Sequence, residues 1–277
     1  MVQAAVFGLA GKLFGLEFNE INDIQKYHSD VKTYEIFEAG SWKMEDGNAE
    51  KVFDSAQTDN AKQEAKSQLL KAILYVDYHP RKGKRAGAWM TSYKNQYKKE
   101  GENSRPHISV VCNFTKPTKD TPSLLTFQEV TTLFHEFGHA LHGILADTQY
   151  PNLSGTSVKW DFVELPSQFL ENFCYEPEFL KTFAKHYQTG EILPDEKIEK
   201  LSQSKSFMEG YQTMRQLGFG LLDMAYHTKS EKVGDIKTFE VEETKATNLS
   251  PSNPETAASP SFSPISQGRH SARYYYY

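Results

Sequence analysis

The chain has 277 residues, a formal net charge of -5 and 38% hydrophobic residues, enough for one or two domains with a real core. So mild a charge argues against nucleic acid or an anionic membrane as partner, and no run approaches the roughly 18 apolar residues of a spanning helix. Two cysteines, Cys112 and Cys174, make neither a disulfide scaffold nor a C-x-x-C metal pair, which fits a reducing compartment and a cytoplasmic protein.

The N-terminal stretch MVQAAVFGLAGKLFGLEF lacks a basic n-region and a convincing cleavage site, so it does not read as a signal peptide. Its residues 2–16 read instead as an amphipathic helix, with Val6, Leu9, Phe14 and Leu16 among the apolar positions. Glu20 to Phe37 is mixed, with a strand expected over Val31–Phe37. Residues 40–72 open with a polar run rich in Lys, Glu, Gln and Asp and are expected to form a divergent or inserted segment, a solvated helix or loop. Strands are expected at Ile73–Tyr78, Gly87–Tyr93 and His107–Phe114. Between them, RKGKR (81–85) reads as a solvated turn rather than an anion grip, and KNQYKKEGENSRP as a loop.

Thr126–Ala146, TFQEVTTLFHEFGHALHGILA, is the stretch around which the rest is organised. Thr126 and Glu129 form a capping box, Leu125 and Val130 a hydrophobic staple, and Val130, Leu133, Phe134, Phe137, Leu141 and Ile144 recur at helical spacing. Residues four apart share a helix face, so His135 and His139 of the H-E-x-x-H pattern can point at one ion. Glu136 lies beside that face, placed to reach a metal-bound water without itself binding metal. A helical histidine pair can also lie on a polar surface, but this one is embedded in an apolar helix, and buried ionisable groups need partners.

After a loop containing Gly155, Asp161 is expected to cap a second helix, DFVELPSQFLENFCY, with Pro166 near its first turn. Zinc commonly takes three protein ligands, and two His with one Glu is a known set, which makes Glu164 the best third ligand. Its alternative is a cap or surface residue. Glu171 would serve as an acceptor orienting a ligand histidine, or stand as a plain surface carboxylate. His142, rotated away from His139, reads as a helix-face residue. Phe179–His186 and Asp195–His227 read as helical, and residues 242–277 as a loop-like tail ending in Tyr274–Tyr277.

HEFGHALH followed by SGTSVKWDFVELPSQFLENF resembles the thimet oligopeptidase and peptidyl-dipeptidase family of zinc metallopeptidases, on the side of its bacterial dipeptidyl carboxypeptidase branch. FGLAGKLFGLEF, YVDYHPRKGKRAGAWMTSY, HISVVCNFTKPT, FMEGYQTMRQLGFGLLDMAYH and NPETAASPSFSPISQG extend the resemblance over nearly all of the chain outside residues 40–72. The resemblance implies a mainly helical fold with a small antiparallel β-sheet, a zincin-like (neurolysin-like) catalytic core, and a deep channel for short peptides. It implies one Zn2+ per chain on His135, His139 and Glu164, with Glu136 as general base. It assigns substrate contacts to Gly155 and to the strand bearing His107 and Ser109, taken as the edge strand. A monomer acting on short peptides is expected, with no nucleic acid and no membrane partner.

Members of that family are much longer, so residues 1–277 are read as a catalytic domain truncated at both ends. The family's late motif has a substrate-binding His where this chain has Pro264 and a Tyr where it has His270, while Arg269 and Arg273 replace usual glycines. Tyr274 and Tyr277 keep later tyrosine positions, and either is expected to donate a hydrogen bond to the developing oxyanion, with His270 as a substitute donor. The competing expectation is an inactive zinc-binding fragment of the same family.

Overall fold

A computed structural model describes residues 1–39, 42–45, 48–51, 69–251, 253, 255–262, 265, 271, 272 and 274, and the chain divides into two units, Met1–Ser202 and Gln203–Tyr277. The first unit opens with α1 (Val2–Phe14), which stops where Gly15 takes a left-handed conformation, φ 62°, and returns its N–H to Gly11. The chain enters β1 (Leu16–Ile21) at once, a strand missing from the sequence reading, and β2 (Lys32–Glu38) pairs antiparallel to it.

β3 (Trp42–Glu45) and β4 (Asn48–Lys51) form an antiparallel pair inside the segment expected to be helix or loop. Residues 40, 41, 46, 47 and 52–68 of that segment lie outside the described residues. Its last three positions, Leu70–Ala72, belong to β5 (Leu70–Asp77) and not to an insertion. β6 (Trp89–Lys94) and β9 (His107–Val111) complete a sheet of order β1-β2-β5-β9-β6. The expectation of an antiparallel sheet is corrected here, because β5 and β9 run parallel and the sheet is mixed. The stretch read as a loop between β6 and β9 holds a small hairpin, β7 (Tyr97–Lys99) and β8 (Glu102–Ser104), turning through Glu100 (φ 53°) and Gly101 (φ 86°). Two successive positive φ angles make a primed turn, whose twist suits a tight hairpin.

Alternation along the sheet separates two faces. Ala72, Leu74, Val76, Ile108 and Val110 meet the main core, whereas Ile73 and Tyr75 join Val31 on the opposite face. α2 (Phe127–Ile144) lies in the main core, burying Leu133, Phe134, Phe137, Leu141 and Ile144. Each such side chain contributes about 1.5–3 kcal/mol by leaving water. The predicted capping box is present in full: the Thr126 side chain accepts from the Glu129 amide, and the Glu129 carboxylate accepts from the Thr126 amide.

The second helix is in fact two, α3 (Trp160–Val163) and α4 (Leu165–Phe173), meeting at Glu164. Pro166 has no N–H to give and its ring crowds the preceding turn, so the helix restarts there. Asp161 lies inside the first turn of α3, and Lys159 takes the cap position expected of it. α5 (Pro177–Phe183) follows, and the division between the units falls in the last turn of α6 (Asp195–Ser204). The basic run also proves structural: Arg81 grips the Asp77 carboxylate through two bonds of 2.8 and 2.9 Å, and Lys84 approaches it at 2.9 Å.

In the second unit the helical run expected through His227 is broken at Met208 (φ 58°), after which α7 (Glu209–Thr228) begins. α8 (Ile236–Glu243) is capped by Asp235, whose side chain accepts from the Thr238 amide, and a short α9 spans Ala258–Ser261. Leu222, Phe239 and Ile265 form a small core, with Phe219 stacked on Phe262 at 4.3 Å. Two buried carboxylates tie down the tail. Glu240 accepts from the amides of Ala258 and Ser259, and Asp223 from those of Ala272 and Tyr274. Among the described residues no helix is long and apolar enough to cross a membrane.

Candidate metal centre

The helical period puts His135 and His139 on one side of α2, with ring centroids 4.9 Å apart. α4 crosses that side closely because residue 138 has no side chain. A Cβ on Gly138 would lie 2.5 Å from both the Pro166 carbonyl oxygen and the Ser167 Cα. The contact brings Glu164, at the α3–α4 junction, over the histidines: its Oε2 is 3.3 Å from His135 Nε2 and 3.1 Å from His139 Nε2. Ser167, fully buried, donates its hydroxyl to the same Oε2 at 2.8 Å. Two turns farther along α4, Glu171 meets the other ring nitrogen of His135, Nδ1, at 2.5 Å. His139 Nδ1 is buried with no hydrogen-bond partner among the described residues.

The electrostatics follow from this packing. Burial works to lower the His135 imidazole, yet the hydrogen bonds with Glu164 and Glu171 outweigh it and hold the group up to about 10. Burial works to raise Glu164, but both histidines and Ser167 hold its carboxyl well below the carboxylate range. Glu136, 8% exposed, is shifted upward: burial dominates over the lowering influence of His135, His139 and the Met90 backbone on β6. Among the described residues, His135, His139 and Glu164 form a group whose donor atoms all lie within 4.8 Å of one another. Two imidazole nitrogens and one carboxylate oxygen are a donor set suited to zinc with an open fourth position, so these residues fit that ion.

The other candidate positions fall elsewhere. His142 stays outside the donor group; its ring packs on Phe162 at 6.0 Å, and burial, then the nearby His139, lower its basicity. Gly155, φ 56°, is seated on α2 so closely that a Cβ would lie 3.0 Å from Gly143 Cα, which accounts for a glycine there. The strand of His107 and Ser109 is corrected from its expected edge position: β9 is flanked by β5 and β6, and β6 is the edge. Ser109 is fully buried, its hydroxyl 3.4 Å from the Thr91 carbonyl, so it offers no surface to a substrate. His107 keeps partial exposure beside Tyr75, whose hydroxyl is 3.4 Å from its Nδ1. Tyr274 belongs to the second unit, with its ring edge-on to Phe262 at 4.8 Å. His270 and Tyr277, with Pro264, Arg269 and Arg273, lie outside the described residues.

Three contributors went unread in the sequence. Ser167 and Gly138 were visible only as a small residue in each of two helices, and nothing in one helix's pattern says where another crosses. Met90 acts through its backbone, which leaves no trace in side-chain chemistry.

The sequence profile of peptidase family M3 matches residues 59–277. The chain belongs to peptidase family M3. It is 35% identical over 280 residues to the dipeptidyl carboxypeptidase of Escherichia coli strain K12, covering 100% of this chain and 37% of that protein. Oligopeptidase A of the same strain is 35% identical over 276 residues, covering 98% of this chain and 37% of its own length. The probable cytosolic oligopeptidase A of Arabidopsis thaliana is 37% identical over 285 residues, with 100% and 37% covered. The M3 chain described here thus spans 37% of the length of these curated relatives.

Proposed function

We propose that the chain is the metal-bearing part of a zinc metallopeptidase that hydrolyses short peptides, of peptidyl-dipeptidase or oligopeptidase type, with a zincin-like core. The observation that carries this reading is the approach of both histidine Nε2 atoms to one Glu164 oxygen with Glu136 beside them, in an M3 chain. His135, His139 and Glu164 hold one Zn2+, and Glu171 fixes the His135 ring through Nδ1. Zinc, when bound, supplies a Lewis acid that polarises the scissile carbonyl and lowers the pKa of a coordinated water to about 7. Glu136 takes the proton of the attacking water and returns it to the leaving amine.

The peptide adds as a strand along the open edge of β6, the strand whose Met90 backbone already reaches Glu136, rather than along β9. Gly155 lies in the loop that follows the metal helix and contacts bound peptide. Tyr274 or Tyr277 donates to the oxyanion, with His270 as the substitute donor. A monomeric, cytoplasmic protein completes the reading. The second reading, a zinc-binding fragment without turnover, is favoured by Pro264 and His270 where family members carry His and Tyr.

One experiment separates the two. Metal analysis is expected to return about one zinc per chain, lost in His135→Ala, and short fluorogenic peptides are expected to be cleaved. Glu136→Gln should keep the zinc and lower turnover about 10²–10⁴-fold. Stoichiometric zinc without any cleavage selects the inactive fragment, and absence of zinc from the wild-type chain defeats both.

A further inference from the structure

A cavity of about 600 Å³ opens beside the β7–β8 hairpin, lined by Lys71, Lys94, Glu102, Asn103, Arg105 and His107 among others. Its charge is lopsided toward positive. Lys71 is matched by Glu38 at 2.6 Å, but Lys94 has no ion-pair partner among the described residues. Arg105 donates to four neutral oxygens, on Lys71, Asn103, Ile144 and Ala146, at 2.7–3.2 Å. Its charge therefore meets no carboxylate directly. Asp147, whose charge acts on Arg105, is engaged by Lys98 at 2.9 Å and Asn103 at 3.3 Å. Glu102 is exposed at the rim. Burial, and then Lys94, hold the His107 imidazole below its ordinary range.

The strand that carries Lys94 links this cavity to Glu136. β6 runs from Met90, whose backbone acts on Glu136, to Lys94, a distance of about 13 Å at ~3.3 Å per residue. Its register with β9 slips on the way: Ser92 pairs with Ile108, but Lys94 pairs with His107. Ile108 faces α2, so an unbroken register would send Lys94 to that side as well. The bulge turns it to the face of His107 and into the cavity lining, the kind of re-aiming for which bulges serve beside functional sites. A peptide antiparallel to β6 begins at the Lys94 end.

We propose that this cavity is a subsite for an aspartate or glutamate side chain of the peptide, roughly three residues N-terminal to the one facing Met90, an odd offset that turns it to the face of His107. The proposal rests on the β6-edge reading above. It is tested by binding, with turnover blocked: fluorescent polyalanine peptides carrying a single Glu or Lys at each position in turn are titrated against the full zinc-loaded chain bearing Glu136→Gln. At one position Glu should bind about five- to tenfold tighter than Lys, and Lys94→Glu should reverse the preference at that position without changing the melting temperature. Equal binding of Glu and Lys peptides everywhere overturns the subsite alone, as does a Glu preference that survives Lys94→Glu. A Glu advantage independent of position, and matched by competition from free acetate, assigns the cavity to a small anion and overturns it too. No binding of any peptide overturns both the subsite and the edge-strand reading, whatever zinc content and turnover show.

Discussion

His135 is held from two directions by one helix. Glu164 reaches its Nε2 at 3.3 Å and Glu171 its Nδ1 at 2.5 Å, so the ring's tilt is set by α4 and the residue that leads into it. Replacing Glu171 by Gln keeps the shape but removes the charge that polarises the ring. Zinc affinity is expected to fall about 10–100-fold, measured by competition with a chromogenic chelator, and unchanged affinity would show that the contact does nothing for the metal. At this scale the sequence was informative wherever chemistry and helical period coincide. The helical spacing of His135 and His139 was legible, whereas Glu164 and Glu171 were candidates with a surface alternative each, because only the packing of α4 on α2 brings their carboxylates to the ring nitrogens. Ser109 was misread because a strand's neighbours are invisible from the strand itself, and a buried serine looks in sequence like an exposed one.

Elements meet by way of residues that lack side chains. The α2–α4 crossing depends on Gly138, where a Cβ would sit 2.5 Å from backbone atoms of Pro166 and Ser167 that cannot rotate away. In an unpacked helix, Gly→Ala stabilises by about 1 kcal/mol. Here the sign is expected to reverse: Gly138→Ala should destabilise by about 1–3 kcal/mol in a denaturant titration and weaken zinc binding together with it. A stabilised variant would mean that α4 does not pack as described. The boundaries of α2 and its capping box were readable, since a cap is local. The parallel pairing of β5 with β9, the edge position of β6 and the split at Glu164 were not, since each depends on contacts far apart in the chain.

The first unit owes part of its integrity to one buried ion cluster. Asp77, 1% exposed at the end of a central strand, takes bonds from Arg81, Lys84 and Tyr27. Burial works to raise its carboxyl, but those three donors prevail and hold it low. A carboxyl depressed in the folded state contributes stability that is present above its unfolded value, about 3.9, and lost as pH falls through the folded one. Asp77→Asn should therefore cost about 3–5 kcal/mol near neutrality, by stranding Lys84 and Arg81, and should flatten the loss of stability below about pH 4. Melting temperatures across that range decide it; parallel curves for the two proteins would remove Asp77 from the acid response. The boundary between the units was not legible, because it falls at Ser202–Gln203, where composition stays helical on both sides and no proline or glycine run marks a linker.

Strand order in the first unit also says which pairings are local. Among the described residues β9 is the sheet partner of β6, and β9 in turn is held by β5. The β6–β9 pair joins residues 13–22 positions apart, whereas β5 and β9 join residues 34 apart across a crossover. The shorter loop costs less entropy to close. The wall carrying Met90 and Lys94 can therefore form as a local ribbon with β9, and the β5–β9 pairing is the costly step that docks it onto the rest of the sheet.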